Sequence, residues 1–538
     1  MSEPIRAADV LARRLYDAGC RTAFGMPGGE VLSLIDALRR NGIDFVLVRH
    51  ENAGGFMAEG NWHVTGAPGI LVATLGPGAL NAVNTVANAL QERVPLVVLT
   101  GCVDAAEAER YSHQIIDHQA VFRPVTKATL QLNAEAAEVV ADRAVSIACE
   151  PQAGPVHVDV PMGVAEMPVS PRSVRRSIAA PAAPPVGPGL DRARDWLARA
   201  ERPLLVAGVD ALNEAAGPAV TAFAEAHAVP VVTTYRAKGL IPEDHPLSLG
   251  GAGLSPLADS HLLPLVRSAD LIFLAGYDPI EMRPGWRDVW DPTTQNVLDI
   301  VPVPRLSYMH GATLTVQSGV SQTLAALSKG VPPRGTWTDG AFTATRTDLA
   351  RAFSLDEEWG PGAVVDCCRA ALPEDGIATV DSGAHRILLS QMWTCPAPRT
   401  LLQSAGLCTM GCAVPLALGA QMAAPERKVI AFTGDAGFLM VAGELATAAE
   451  LDLRTVIVVF VDASLALIEK KQRERQLPNL GVDFAVHDYA AIGRAFGGHG
   501  ATVSTRAGLR SALDAAFGAD RFTVIAAMIE RGAYDGRI

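Results

Sequence analysis

Short apolar runs ending in glycine, proline or an acid recur along the chain, each followed by a longer stretch with helical spacing. In the first part, IRAADVLARRLYDAG repeats apolar residues at three- and four-residue intervals and predicts a helix. DFVLVR, GILVATL and PLVVLTG read as buried strands, GALNAVNTVANALQE as one helix, and GPVHVDVP (154–161) as a closing strand. The alternation returns in PLLVAGV, AVTAFAEAHAVPVVTT and ADLIFLAGY. It appears a third time in GIATVDSGAHRILLSQMW, VPLALGAQMAAPERKVIAFTGD and TVIVVFVDASLALIEKK. Strands that alternate with helices predict parallel sheets covered on both faces. The expected fold is α/β, with three successive parallel-sheet domains over 1–166, 190–335 and 360–538. Between the first two, MPVSPRSVRRSIAAPAAPPVGPG (167–189) has no apolar period and reads as a linker.

Composition narrows the class. A chain of 538 residues is too long for one core, and domains of about 150–200 residues are the natural unit. Hydrophobic residues make up 49% and aromatic residues 5%, so the cores are mainly aliphatic. No segment reaches about 18 uninterrupted apolar residues, so no membrane span is expected. The start, MSEPIRAADVLARRL, lacks the apolar centre of a signal peptide, and a cytoplasmic location is expected. A net charge of −12 removes the basic face that a nucleic-acid partner needs. The eight cysteines form no Cys-x-x-Cys pair, which leaves buried, reduced thiols as the expected state.

The chemistry concentrates where buried strands end in acids. VIAF (429–432) runs into TGDAGFLM, so Asp435 stands at a strand end among Gly434, Ala436 and Gly437. Taken alone, Asp435 reads as a helix N-cap. But TVIVVFVD (455–462) is a second buried strand ending in an acid, Asp462. VAGELATAAEL (441–451) reads as the helix between them. In an open α/β sheet, ligands sit off the carboxyl ends of the strands. Two acids there suit a hard divalent cation, and small residues let backbone N–H groups approach an anion. A metal-bridged diphosphate satisfies both requirements.

GDAGFLM, with VDASLALI 27 residues after its acid, resembles the signature of thiamine-diphosphate-dependent enzymes: Gly-Asp-Gly, a spacer in the mid-twenties, then Asn-Asn or Asn-Asp. The resemblance implies that Asp435 and Asp462 hold Mg²⁺ by their side chains and Ser464 by its carbonyl. Leu465, Ala466 and Leu467 follow on the same cofactor-binding loop. Ala436 and Asp462 depart from the family's usual glycine and asparagine. FGMPGGEVLSLIDAL (24–38) resembles the family's Gly-x-Pro-Gly-Gly turn, which nominates Pro27 and Gly28. ATLGPGALNAVNTVANALQERVPLVVLTG (73–101) resembles its Gly-Pro-Gly-Ala-x-Asn helix, nominating Thr74, Pro77 and Asn81. FRPVTK (122–127) fits the same branch. In VLVRHENAGGFMAEG, Glu51 matches the family's activating glutamate, which promotes the imino tautomer of the cofactor's aminopyrimidine. Alone, it would read as an exposed acid favoured by a helix dipole. QSAGLCTMGCAVPLALGAQMA (403–423) nominates Met410 as the apolar wedge that bends the cofactor, and the Cys408 carbonyl as partner of the pyrimidine amine. Without its flanks, Met410 reads as core filler. DSGAHR (381–386) places Gly383, Ala384 and His385 near the diphosphate.

The resemblance is strongest to the acetohydroxyacid synthase, pyruvate oxidase and benzaldehyde lyase branch, through TTYRAKGLIPEDHPLSLG (233–250). It implies decarboxylation of a small 2-keto acid such as pyruvate, and transfer of the acyl unit to an aldehyde or keto acid. His113 and Gln114, in YSHQIIDHQ, fall near the reacting carbon, though His113 also reads as a surface loop residue. Glu30 is an unusual acid in the Gly-Gly turn. AGYDPIEMRPGW (275–286) and LLVAGVDA depart from the flavin-proximal patterns, so FAD is possible but not expected. The pairing of a pyrimidine-binding domain with the diphosphate-binding domain of a second subunit implies a homodimer or homotetramer. A simple decarboxylase or C–C lyase, a flavin-linked oxidase and an inactive scaffold remain open alternatives.

Overall fold

The computed structural model describes residues 5–170, 182–303 and 309–538. Residues 171–181 of the expected linker over 167–189 lie outside the described residues. Three sheets follow one another along the chain, each of six strands, and every strand pairing is parallel. The first contains β1 (Thr22–Met26), β2 (Asp44–Leu47), β3 (Gly69–Ala73), β4 (Leu96–Cys102), β5 (Ala128–Gln131) and β6 (Val156–Pro161), in the order β2-β1-β3-β4-β6-β5. The second holds β7 (Pro203–Ala207), β8 (Val231–Thr234), β9 (Ser248–Ala252), β10 (Leu271–Ala275), β11 (Asn296–Val301) and β12 (Leu314–Gln317), ordered β12-β11-β10-β7-β8-β9. The third holds β13 (Ile377–Val380), β14 (Leu401–Gln403), β15 (Val429–Gly434), β16 (Val456–Val461), β17 (His499–Val503) and β18 (Thr523–Met528). Its order, β14-β13-β15-β16-β18-β17, repeats that of the first sheet.

The central strands are buried along their length, β16 (VIVVFV) at every position, because helices cover both faces. One apolar core joins the first and third sheets, drawing on Phe24, Met57 and Val98 as well as Val414, Phe438 and Val459. Its seam is the contact between helices Glu51–Thr65 and Ala413–Ala423. Glycines allow the approach: a Cβ on Gly60 would lie 2.1 Å from the Leu416 carbonyl oxygen, and one on Gly419 would lie 2.0 Å from that of Met57. A second core joins the middle and third sheets through Trp286, Trp393 and Phe432.

Three local readings differ from the structure. The helix expected over 78–92 is two helices, Pro77–Asn81 and Val83–Glu92, broken at Ala82. The helix expected from 441 begins at Asp435, and a second one covers Glu444–Glu450. Gly434 is therefore the N-cap and Asp435 the first helical residue, so Asp435 does not cap. Its carboxylate is drawn instead to backbone amides after the neighbouring strand.

Candidate functional site

The C-terminal candidates meet in one cleft of about 720 Å³ at the carboxyl ends of β13, β15 and β16. Gly383, Ala384 and His385 approach from the turn after β13, and Cys408 and Met410 from the loop before helix Ala413–Ala423. Gly434, Asp435, Ala436 and Gly437 form its floor. Asp462, Ser464, Leu465, Ala466 and Leu467 close the far side. The sequence reading does not nominate Ser382, Phe460, Ile468 or Tyr534, which complete the lining; Tyr534 lies in the C-terminal turn region, without an apolar period to mark it.

The floor is held by two acids, Asp435 buried and Asp462 partly buried. Asp435 accepts from the Ala436 N–H through Oδ1, and from the N–H groups of Asp462 (3.2 Å) and Ala463 (2.8 Å) through Oδ2. Even so, burial pushes its pKa up. Asp462 accepts from the Ser464 N–H at 3.2 Å. Burial, reinforced by the charge of Asp435, raises it to about 7. Two desolvated carboxylates this close require a counter-charge. Beneath them lies Asp381, which the sequence reading passed over. It is fully buried and accepts from the N–H groups of Ser382, Gly411 and Cys412 and from the Thr433 hydroxyl. It thus ties three of the loops that form the cleft. A Cβ on Gly437 would lie 2.1 Å from Asp381 Oδ2, which explains glycine at that position.

His385 stacks on Phe460 with ring centres 5.3 Å apart, and its Nε2 is buried without a hydrogen-bond partner. Burial, then the charge of Arg386, lowers its pKa to about 3, so the ring is neutral. An orphaned imidazole nitrogen, two acids and small residues at a helix start form a donor and acceptor set that fits a metal-bridged diphosphate. Cys408 adopts φ +54°, a left-handed conformation that costs a non-glycine residue about 1 kcal/mol. The resembled pattern has glycine there, and this chain keeps the backbone shape despite a side chain.

The N-terminal candidates form a separate cluster. Glu51 is the first residue of helix Glu51–Thr65, whose N-cap His50 accepts from the Asn52 N–H. The carboxylate is 3% exposed and accepts from Asn81 Nδ2 at 3.0 Å. A Cβ on Gly78 would lie 3.0 Å from its Oε1. Thr74 donates its hydroxyl to Glu30 at 2.6 Å, and Gly28 lies so near that a Cβ would meet Thr74 Oγ1 at 2.2 Å. Pro27 and Pro77 are exposed on the adjoining turns. Gln114, at φ +61°, borders Gly76 through its backbone, and both His113 and Gln114 are exposed. None of these residues lines the C-terminal cleft of the same chain.

Buried polar residues that the sequence reading missed hold both halves in place. Glu444 accepts from the N–H groups of Arg49 and His50, fixing the approach to Glu51. Glu92 accepts from those of Ala405 and Gly406 and pairs with Arg236 at 2.9 Å, anchoring the loop that carries Cys408 and Met410. The Gly76 N–H donates to His118 Nε2, whose Nδ1 bonds Asp159, fixing the turn before Pro77. Their partners lie far away in sequence, and no local spacing signals them.

Comparison with known proteins finds three family domains along the chain. Residues 5–121 match the thiamine pyrophosphate enzyme N-terminal TPP binding domain, 190–327 the central domain, and 381–527 the C-terminal TPP binding domain. A protein named a probable 2-ketoarginine decarboxylase, from Pseudomonas aeruginosa, is 30% identical over 92% of this chain and 88% of its own length. The acetolactate synthase isozyme 1 large subunit of Escherichia coli is 30% identical over 86% of this chain and 83% of its own. An acetolactate synthase large subunit of Mycobacterium tuberculosis is 31% identical over 96% and 94%. The chain belongs to the thiamine-diphosphate-dependent enzymes, in their acetolactate synthase-like branch.

Proposed function

We propose that the protein is a thiamine-diphosphate- and Mg²⁺-dependent carboligase that decarboxylates a small 2-keto acid and joins the acyl unit to an aldehyde or keto acid. One observation carries this reading: two desolvated acids, Asp435 buried and Asp462 partly buried, end adjacent strands of one sheet, beside a neutral histidine whose ring nitrogen has no partner. When bound, thiamine diphosphate supplies the electron sink for loss of carbon dioxide and for bond formation to the acceptor. Asp435 and Asp462 hold Mg²⁺, together with the Ser464 carbonyl. The amides around Gly383 and Gly437, with His385, bind the diphosphate. Met410 and the Cys408 carbonyl support the organic part. Glu51 of the partner subunit holds a proton at the pyrimidine edge, with Gln114 and His113 near the incoming substrate. That assignment makes the active form a homodimer or homotetramer, and we place it in the cytoplasm. No helix among the described residues is long and apolar enough to cross a membrane.

The test supplies thiamine diphosphate, Mg²⁺ and a panel of 2-keto acids, then measures carbon dioxide and coupled products with and without added aldehydes. Cofactor- and metal-dependent product formation supports the proposal. Carbon dioxide release with no coupled product would instead favour a decarboxylase, a reading that the relative named a 2-ketoarginine decarboxylase keeps open. No turnover of any acid overturns both. Light scattering of the holoenzyme checks the assembly, and a monomer with full activity removes the shared site.

A further inference from the structure

A second cleft opens from the first. It spans about 1080 Å³, part of it open to solvent, and shares Ser382, Gly383, Cys408 and Leu467 with the cofactor cleft. Leu254, Pro256 and Arg283 of the middle domain form its other wall. Its charged side chains are mostly cationic: Arg283, Arg386, Lys470 and Lys471 line it with one acid, Glu474, although Arg283 also stands 3.6 Å from the buried Asp259. Glu474 is already engaged by Lys470, its neighbour one turn away on helix Ala466–Glu474.

Arg386 is the unusual member. It lies in the first turn of helix Ala384–Met392 and is 2% exposed. Its Nε donates to Gln403 Oε1 at 3.0 Å, an oxygen that also accepts from the Ser390 hydroxyl. Nη2 is buried with no hydrogen-bond partner, and no carboxylate pairs with the guanidinium among the described residues. A buried charge without a counter-charge is costly, and a fork of N–H donors is matched by a carboxylate, a phosphonate or a sulfonate. The cofactor's diphosphate is the other anion nearby. Its cradle belongs to the first cleft, which Arg386 does not line.

We propose that this cleft recognises a second anionic group on the substrate: the 2-keto acid turned over here carries a distal carboxylate, or its phosphonate or sulfonate counterpart, held by Arg386. The inference rests on the proposed function, because it presupposes that a 2-keto acid enters the adjoining cofactor cleft. Lys471 lines the same cleft and adds to the attraction, while a substrate with a cationic far end meets like charge.

The experiment compares acids that differ only at the far end, using the holoenzyme with thiamine diphosphate and Mg²⁺. 2-Ketoglutarate is set against 2-ketopentanoate, 2-ketoadipate against 2-ketohexanoate, and 3-phosphonopyruvate and 3-sulfopyruvate against 2-ketobutyrate. The expected result is a kcat/KM ratio favouring at least one dianionic acid by roughly tenfold or more, the scale of one charge-assisted hydrogen bond. Arg386→Gln lowers that ratio by roughly ten- to hundredfold, mainly through KM, and Arg386→Lys keeps part of it. The phosphonate, sulfonate and carboxylate arms show which anion is preferred. Thermal unfolding and cofactor affinity are measured for each variant. If Arg386→Gln fails to fold, the wild-type ratio and that of Lys470→Gln/Lys471→Gln decide. A wild-type preference for the neutral acid in every pair overturns the inference. So does an Arg386→Gln variant that loses cofactor affinity but keeps the ratio, because Arg386 would then serve the diphosphate. Turnover of neutral acids alone leaves the proposed function standing and removes this inference. No release from any acid removes both.

Discussion

The first and third sheets share a plan and use it differently. Numbered from their own first strands, both run 2-1-3-4-6-5. In both, the second strand leads to a helix rich in small residues, and these two helices pack on each other through Gly60 and Gly419. In the N-terminal domain the acid comes immediately after that second strand, as Glu51 at the helix start. In the C-terminal domain the same point is occupied by the loop carrying Cys408 and Met410. There the acids follow the third and fourth strands, as Asp435 and Asp462. The frame therefore fixes where a ligand can sit, at the carboxyl ends of the strands. On the function proposed above, the residues placed on each frame would decide whether that end grips an organic ring or a metal and its anion. The N-terminal cluster does not line the C-terminal cleft of the same chain.

Removing one half at a time tests this division. Glu51→Ala is expected to have the largest effect, about 10²- to 10⁴-fold in turnover, the usual contribution of a positioned acid–base group. Calorimetry should show cofactor binding largely kept, because the metal and diphosphate half is intact. A near-normal rate takes Glu51 out of the mechanism. Asp435→Ala should do the converse and weaken Mg²⁺-dependent cofactor binding by about a hundredfold or more, since loss of even an outer-shell partner costs about 10–100-fold. Unchanged affinity would remove Asp435 from the metal site.

The seam between the frames is tested by packing. Gly60→Ala places a Cβ 2.1 Å from the Leu416 carbonyl oxygen and 3.0 Å from the Ala420 amide nitrogen. These are backbone atoms, so relief requires the two helices to move apart. The expected loss is about 1–3 kcal/mol by chemical denaturation. A loss below about 0.5 kcal/mol, the range of ordinary surface changes, would show that the helices do not meet this closely in solution.

Strands with continuous apolar runs were legible in the sequence because burial on both faces leaves no polar alternation; β4, β15 and β16 are examples. β9 (SLGGA) and the three-residue β14 carry too few apolar side chains to announce themselves. The break at Ala82 was hidden because nothing in GALNAVNTVANALQE opposes a continuous helix. At the site, motifs with fixed spacing pointed to Asp435, Asp462 and Glu51. Asp381, Glu92 and Glu444 escaped notice because their partners are backbone amides that the fold brings together from distant segments. Spacing reveals the residues presented to a ligand more readily than those that hold the presenting loops.

The smallest expected effect lies on the seam itself and exploits an asymmetry between its two helices. Ala413–Ala423 carries no charged residue, whereas Glu51–Thr65 buries Glu59 against it. Glu59 Oε2 accepts from Asn88 Nδ2 at 3.0 Å, Oε1 has no hydrogen-bond partner, and Arg236 stands 3.8 Å away. Burial pushes its pKa up to about 8; Arg236 opposes the rise and Glu92 adds to it. The native state thus holds a proton that the unfolded chain releases near the ordinary value of 4.5. The resulting stability is fully present below that value and is lost as pH rises through about 8. Glu59→Gln fixes the neutral form. The stability difference should therefore move in the variant's favour between pH 7.5 and pH 9, by about 1 kcal/mol, against a limit of about 1.4 kcal/mol per pH unit for a single group. Denaturation curves across that range decide the matter. A constant difference would mean that Arg236 keeps Glu59 ionised throughout and that the seam is closed by an ion pair instead of a protonated carboxyl.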